Sequence, residues 1–340
     1  MTYAILFNPG HNRVYFETSL KLSISEFNIV AQKISFEVEN VQIQNIAGIE
    51  YLTFQTNNEL SGSDIKTLSD LSFIYALFVI EGEYLKPVAK LNEDFVDDSI
   101  STILKYTGKT NEIFTRMMIN VAYYSQNNTE NIKLLDPVAG KGTTLYEGLI
   151  KGFNVYGIEI GESVVNESYH FLHKFLETAR YKFETASIKT SGPNKSYTAL
   201  RHTFETAKTK EDFKNKNTRT IEMIAGNSLY VDKFYKKNFF DIIVGDLPYG
   251  VQHSNVTNEK QSSMTRNPTE LLSACLPSWL GVLKPGGIIL LSWNVNVVHR
   301  TKIEQIFAEN GLTVKNDDSY LQFEHRVDQA IVRDIIVAQK

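Results

Sequence analysis

"LLDPVAGKGTTLYEGL", residues 134–149, packs a short apolar run, an acid, a glycine-punctuated turn and a helical stretch into consecutive positions. The run from 132 to 135 reads as a buried strand that ends at Asp136. Gly140 and Gly142 let the backbone turn tightly and approach a ligand. The helix expected from 143 to 151, opened by Thr143, would aim its first N–H groups and a partial positive charge at an anion.

Working outward from this unit, apolar strand candidates recur at 154–158, 221–225, 240–244 and 288–293. They alternate with helical patterns at 163–180, 268–283 and 302–310. Such alternation implies βαβ units and a mostly parallel, doubly wound Rossmann-like sheet. "KPGG" at 284–287 reads as a turn before the fifth strand. Residues 312–323 and 330–338 also read as strands, with too few residues between them for a helical crossover. The last two strands are therefore expected as an antiparallel pair at the sheet edge. Before residue 105 the pattern differs. Short runs at 3–7, 34–38, 51–54 and 73–80 flank a helical stretch from 23 to 31, where Ser23 and Glu26 have capping-box spacing. A small α+β domain over 1–104 and a second domain over 105–340 are the expected organisation.

Composition agrees with two domains: 340 residues, 42% of them hydrophobic, against about 100–200 residues per domain. The single cysteine, Cys275, excludes an internal disulfide and a cysteine-based zinc cluster, and it fits a reducing compartment. The N-terminus shows no basic start followed by a long apolar stretch. The longest apolar run, 73–80, is far short of the ~20 residues a membrane helix needs. The expectation is a cytoplasmic protein without a membrane partner. A net charge of −4 argues against a generic nucleic-acid binder. The charge is uneven, however. Residues 180–219 hold ten Lys or Arg and four acids, a balance of +6 that leaves −10 on the rest. Tyr181, Phe183, Tyr197, Phe204 and Phe213 are interleaved with those cations, a mix suited to single-stranded RNA.

Three ligands compete for the glycine loop. A Walker loop needs Ser or Thr after its lysine, and Gly142 follows Lys141. A dinucleotide fingerprint needs Gly or Ala at 145, where Leu145 stands, and Asp136 would face the pyrophosphate. S-adenosylmethionine (SAM) carries an ammonium group and no phosphate, and an acid-led Gly-x-Gly loop suits it. Glu159, at the end of the second strand, is placed to take two ribose hydroxyls. Asn227 and Ser228, after the third, are candidates for the adenine edge.

After the fourth strand comes "GDLPYG", residues 245–250. An exocyclic amine on a planar base has two N–H donors. Asp246 is suited to accept one and the carbonyl of Leu247 the other; Pro248 fixes the chain, and Tyr249 offers a ring for stacking. The nitrogen then lies in line with the sulfonium methyl, and no metal is required.

These two motifs, Asp136-Pro-x-Ala-Gly-x-Gly-Thr-Thr and Asp246-Leu-Pro-Tyr-Gly, resemble those of SAM-dependent amino-methyltransferases. More narrowly they resemble the tRNA guanosine-N2 methyltransferase-like family, related to the THUMP-associated enzymes. "GKTNEIFTRMMINVA" (108–122), "LSWN" (291–294) and "HRVDQAIVRDIIVAQK" (325–340) are similar to the family's preceding helix and later strands. The resemblance spans about 105–340. It implies the class I methyltransferase fold and an RNA substrate, tRNA first and ribosomal RNA next. It further implies that Asp136, Gly140 and Gly142 hold the methionine end of SAM, Glu159 the ribose, and Asp246 to Tyr249 the amine. One position departs: the motif's usual second Pro is Leu247. A DNA adenine or cytosine amino-methyltransferase, a protein glutamine methyltransferase and a non-catalytic SAM- or RNA-binding protein are the other readings.

Overall fold

The computed structural model describes residues 1–9, 13–91, 93–104, 108–128, 130–248 and 268–340. The first part is β1 (Thr2–Phe7), α1 (Arg13–Ala31), β2 (Val38–Ile46), β3 (Ile49–Thr56), α2 (Gly62–Ser69), β4 (Ile74–Glu81) and β5 (Tyr84–Val88). Its strands form an antiparallel sheet in the order β2-β3-β1-β4-β5. β3 lies between β1 and β2, which makes a split β-α-β unit. Alternate residues, Tyr3, Ile5 and Phe7 on β1 and Leu52 and Phe54 on β3, share one buried cluster with Phe27 of α1.

The capping box expected at Ser23 and Glu26 does not form. The helix begins ten residues earlier, so Ser23 lies inside it and its hydroxyl donates to the Leu20 carbonyl. Glu26 is instead a buried anchor. Its carboxylate accepts from the Ser72 backbone N–H at 2.9 Å, the Ser72 hydroxyl at 2.5 Å and Asn120 Nδ2 at 2.7 Å. Burial pushes its pKa up. The expected strand at 34–38 is also displaced, because β2 starts only at Val38.

The rest is α3 (Ser99–Ile103), α4 (Glu112–Tyr124), β6 (Lys133–Asp136), α5 (Thr143–Ile150), β7 (Asn154–Glu159), α6 (Glu162–Thr178), β8 (Lys182–Ser191), β9 (Thr198–Ala207), α7 (Lys210–Lys214), β10 (Arg219–Ala225), α8 (Val231–Phe234), β11 (Phe240–Asp246), α9 (Pro268–Val282), β12 (Leu283–Asn294), α10 (Arg300–Glu309), β13 (Thr313–Val314), β14 (His325–Arg326) and β15 (Val332–Gln339). The sheet runs β13-β15-β12-β11-β6-β7-β10-β9-β8, with β14 paired to β15. Neighbours from β12 to β10 are parallel, and β15 is antiparallel to β12. Setting aside β8, β9 and β14, the strands follow the order 3-2-1-4-5-7-6 in chain sequence. That is the Rossmann-like class I methyltransferase fold.

Both sheet faces are covered, which explains the continuous apolar strands. Leu134, Val155, Ile242 and Val244 face a cluster with Phe114 and Met118 of α4 and Leu145 of α5. Leu135, Ile243, Ile289 and Leu291 face the other, with Leu272 and Trp279 of α9 and Phe307 of α10. The first cluster also contains the N-terminal residues Ile5, Phe27 and Leu77, so the two sheets share a core. Among the described residues no helix is long and apolar enough to cross a membrane.

Two segments differ from expectation. The basic stretch 180–219 is largely a β8–β9 hairpin that extends the sheet beyond β10, with α7 after it. Its rings hold the hairpin in place. Phe204 is fully buried 5.1 Å from Tyr169, and Tyr197 packs 5.3 Å from Tyr230. Phe204 and Tyr197, two of the rings expected to suit single-stranded RNA, are thus engaged in packing. At the C-terminus, the strand expected over 312–323 is only β13, and β15 lies inside the sheet between β12 and β13. "KPGG" is a loop-out: Phe240 pairs with Leu283 and Ile242 with Ile288.

Candidate active site

The chain winds outward from β6 through β7 to β10 and then returns to β11 on the other side of β6. This reversal opens a crevice at the carboxyl ends of β6 and β11, where open α/β sheets bind ligands. Asp136 ends β6 and Asp246 ends β11.

The glycine loop is built as its sequence suggests. Gly140 and Gly142 have φ of +50° and +92°, conformations that side chains with a Cβ rarely adopt. The Gly142 N–H donates to the Ala139 carbonyl at 2.8 Å, and Gly142 caps α5. Thr143 opens that helix and is buried. Across the loop, Gly157 of β7 has no room for a Cβ, which would meet Leu145 and Ala139 at under 3 Å. A glycine there brings the loop onto the second strand.

Asp136 is buried, and its Oδ1 accepts from the Val138 N–H at 3.0 Å. Burial is the main cause that lifts its pKa to about 7; the charges of Asp246 and Glu159 push the same way. Glu159 accepts from the N–H groups of Gly140 at 3.1 Å and Gly161 at 2.8 Å, and burial raises its pKa too. Burial thus leaves Asp136 and Glu159 as carboxyl groups whose charged forms a cation would favour. The ammonium and sulfonium of SAM are two such charges.

Asn227 and Ser228 lie beyond β10. The Asn227 side chain accepts from the Leu229 N–H at 2.9 Å and caps a short turn. The Ser228 hydroxyl accepts from the Trp279 indole N–H at 2.9 Å, inside the second core. Trp293 is fully buried and donates to the Val298 carbonyl, while Asn294 ties down residues 296, 330 and 332.

Asp246 is held by residues that sequence reading did not single out. Thr110 Oγ1 donates to Oδ2 at 2.6 Å, the Ser292 hydroxyl donates to Oδ1, and Arg333 Nη2 lies 3.8 Å from Oδ2. The signals were slight: one hydroxyl in the apolar strand "IILLSWN" and one cation in "VRDIIVAQ". The Leu247 side chain is buried and its N–H donates to the Ser292 carbonyl at 2.9 Å. Pro248 follows; Tyr249 lies outside the described residues. Among the described residues no cluster of His, Cys, Asp and Glu has the arrangement of a metal site.

No protein-family model matches the chain, and no curated protein is similar to it in sequence. Solved structures are similar in shape at a distance. PH1948, a candidate RNA methyltransferase of Pyrococcus horikoshii, aligns with 72% of this chain and 96% of its own, at 14% identity and a TM-score of 0.41. A SAM-dependent methyltransferase of Aquifex aeolicus aligns with 68% of this chain and 98% of its own, at 12% identity and a TM-score of 0.36. The protein PH0851 aligns with all of this chain at 8% identity and a TM-score of 0.39, and the chain spans 59% of its length. These likenesses are distant, and the site is read from this chain's own strands and side chains.

Proposed function

We propose that this protein is a SAM-dependent methyltransferase that methylates an exocyclic amine of a nucleic-acid base, guanine N2 in tRNA. The observation that carries the reading is the pair of acids on adjacent strands, Asp136 behind a left-handed glycine loop and Asp246 across the switch point. In this reading Asp136 and the N-terminus of α5 hold the ammonium and carboxylate of the methionine end. Glu159 takes the ribose hydroxyls, and Asn227 and Ser228 border the adenine. In the same reading residues 1–104 are an accessory unit that contacts the RNA.

The reaction needs little from the protein beyond placement. When bound, SAM would supply an activated methyl group: the amine nitrogen would form the N–C bond as the S–C bond breaks, leaving a neutral thioether. Asp246 and the Leu247 carbonyl orient the two N–H bonds so that the lone pair faces the methyl group. The methylated nitrogen then releases one proton, to Asp246 or to water. Tyr249 is the proposed stacking ring.

The basic segment 180–219 supports a nucleic-acid substrate, and the resemblance of the two motifs to tRNA guanosine-N2 enzymes favours RNA over DNA. Lys208, Lys210, Lys214 and Lys216 are exposed at the amino ends of the parallel strands, near Arg219. From there to the carboxyl ends is about 20 Å, the length of a seven-residue strand at about 3.3 Å per residue. A folded RNA spans that distance. The first test is calorimetric titration of the full chain with SAM. Binding that weakens in Asp136→Asn and persists in Asp246→Ala supports the assignment; absence of binding to the wild type sinks it.

A further inference from the structure

Among the described residues, three separate elements hold the carboxylate of Asp246. Thr110 precedes α4, Ser292 is on β12 and Arg333 on β15. Each has its own reason to be there. Ser292 is the register partner of Asp246, and its carbonyl also takes the Leu247 N–H, so β12 fixes both residues. Arg333 is buried, and its guanidinium lies 4.5 Å from the centre of the Phe114 ring on α4. Thr110 stands just before Asn111, whose side chain caps α4 by accepting from Ile113 and Phe114 N–H groups. The same helix start thus places a hydroxyl on Asp246 and a ring under Arg333. His325, the register partner of Arg333, lies 5.1 Å from Phe114. Burial first, with the charge of Arg333 adding to it, pushes its pKa down to about 4, so it is neutral and adds no second cation.

An aspartate carboxylate turns freely about its last torsion unless it is held. Here its two oxygens are held by different elements. On the methyltransferase reading above, we propose that Thr110, Ser292 and Arg333 are positioning residues that fix the Asp246 carboxylate for the target amine. They neither give nor take the transferred methyl group or the released proton. They act through orientation, and an ångström of misplacement costs about 100-fold in rate. Thr110 is the most informative member. It is only part-buried, and it belongs to the stretch that joins the N-terminal unit to α4. Methyl transfer therefore depends on a residue outside both sequence motifs.

The test uses the full chain with labelled SAM and tRNA. Thr110→Val keeps the shape and removes the donor; Thr110→Ser restores it. The expected result is a 10- to 100-fold loss of kcat in Thr110→Val, with SAM affinity and KM for tRNA within about threefold of wild type. Thr110→Ser should return to within about threefold of wild type. Thr110→Ala replaces the valine variant if valine unfolds the chain. An unchanged kcat, a loss carried by KM or SAM affinity, or a loss that serine does not rescue overturns the clamp. Asp246→Asn separates the two levels. If it is inactive while Thr110→Val is fully active, the clamp alone fails. If it is as active as wild type, or the wild type transfers no label, the methyltransferase reading fails and the clamp with it.

Discussion

Replacing Asp136 by Asn should make the ligand-free protein much more stable at pH 8 and less than half as much more stable at pH 5. The pKa of Asp136 rises from 3.8 to about 7, chiefly because burial disfavours its charged form. The folded state then holds a proton that the unfolded chain has lost, throughout the window from about 4 to about 7. Where the native state binds more protons, stability falls as pH rises. At about 1.4 kcal/mol per pH unit the loss is up to about 4 kcal/mol, complete above pH 7. Asn cannot ionise and escapes it. Its Oδ1 can still accept from the Val138 N–H, as that of Asp136 does. In thermal unfolding of the ligand-free chain, the variant should exceed wild type by about 5–10 °C at pH 8, by less than half of that at pH 5, and hardly at all below pH 4. SAM binding should move the opposite way. An ammonium partner needs Asp136 ionised, so wild-type affinity should rise up to about tenfold per unit between pH 5.5 and 7, and that of the variant should stay flat. Parallel stability profiles for the two proteins would refute the buried-charge argument. Pronounced pH-dependence of binding in the variant would refute the assignment of the ammonium group.

Gly142→Ala should cost about 1–2 kcal/mol in urea unfolding and weaken SAM binding, since φ is +92°, a backbone conformation that a residue with a Cβ rarely adopts. Gly140→Ala, at φ +50° with open space around it, should cost less. Glu159→Gln should lower SAM affinity about tenfold in titration without abolishing transfer, since one hydrogen bond to a charged acceptor is worth about 1.5–3 kcal/mol. Joint reversal of Lys210, Lys214 and Lys216 to Glu should raise KM for tRNA at least tenfold, more at low salt than at high, with SAM affinity kept. These lysines are exposed, so folding should be unaffected.

The sheet was legible because its strands are buried on both faces and punctuated by glycine turns: residues 134–149 spell strand, loop and helix almost to the residue. The hairpin of β8 and β9 was not. Nearly every residue of β8 is exposed, so "KFETASIKTS" carries no apolar alternation to mark it. Ser23 and Glu26 misled for a related reason. Capping-box spacing is local, whereas Glu26 is used by Ser72 and Asn120, partners 46 and 94 positions away. The site divides in the same manner. Asp136, Gly140, Gly142, Glu159 and Asp246 follow directly from strand ends. Thr110 and Arg333 reach Asp246 from 136 and 87 positions away, and no local pattern announces such contacts.

The most direct test of the central claim is methyl transfer itself. The 340-residue chain would be incubated with SAM labelled in the methyl group and, separately, with tRNA, ribosomal RNA and DNA, all from cells lacking this gene. Asp246→Ala serves as the control. The expected result is label in tRNA, recovered as N2-methylguanosine and absent with the variant. Label confined to DNA, or label undiminished by Asp246→Ala, would contradict it.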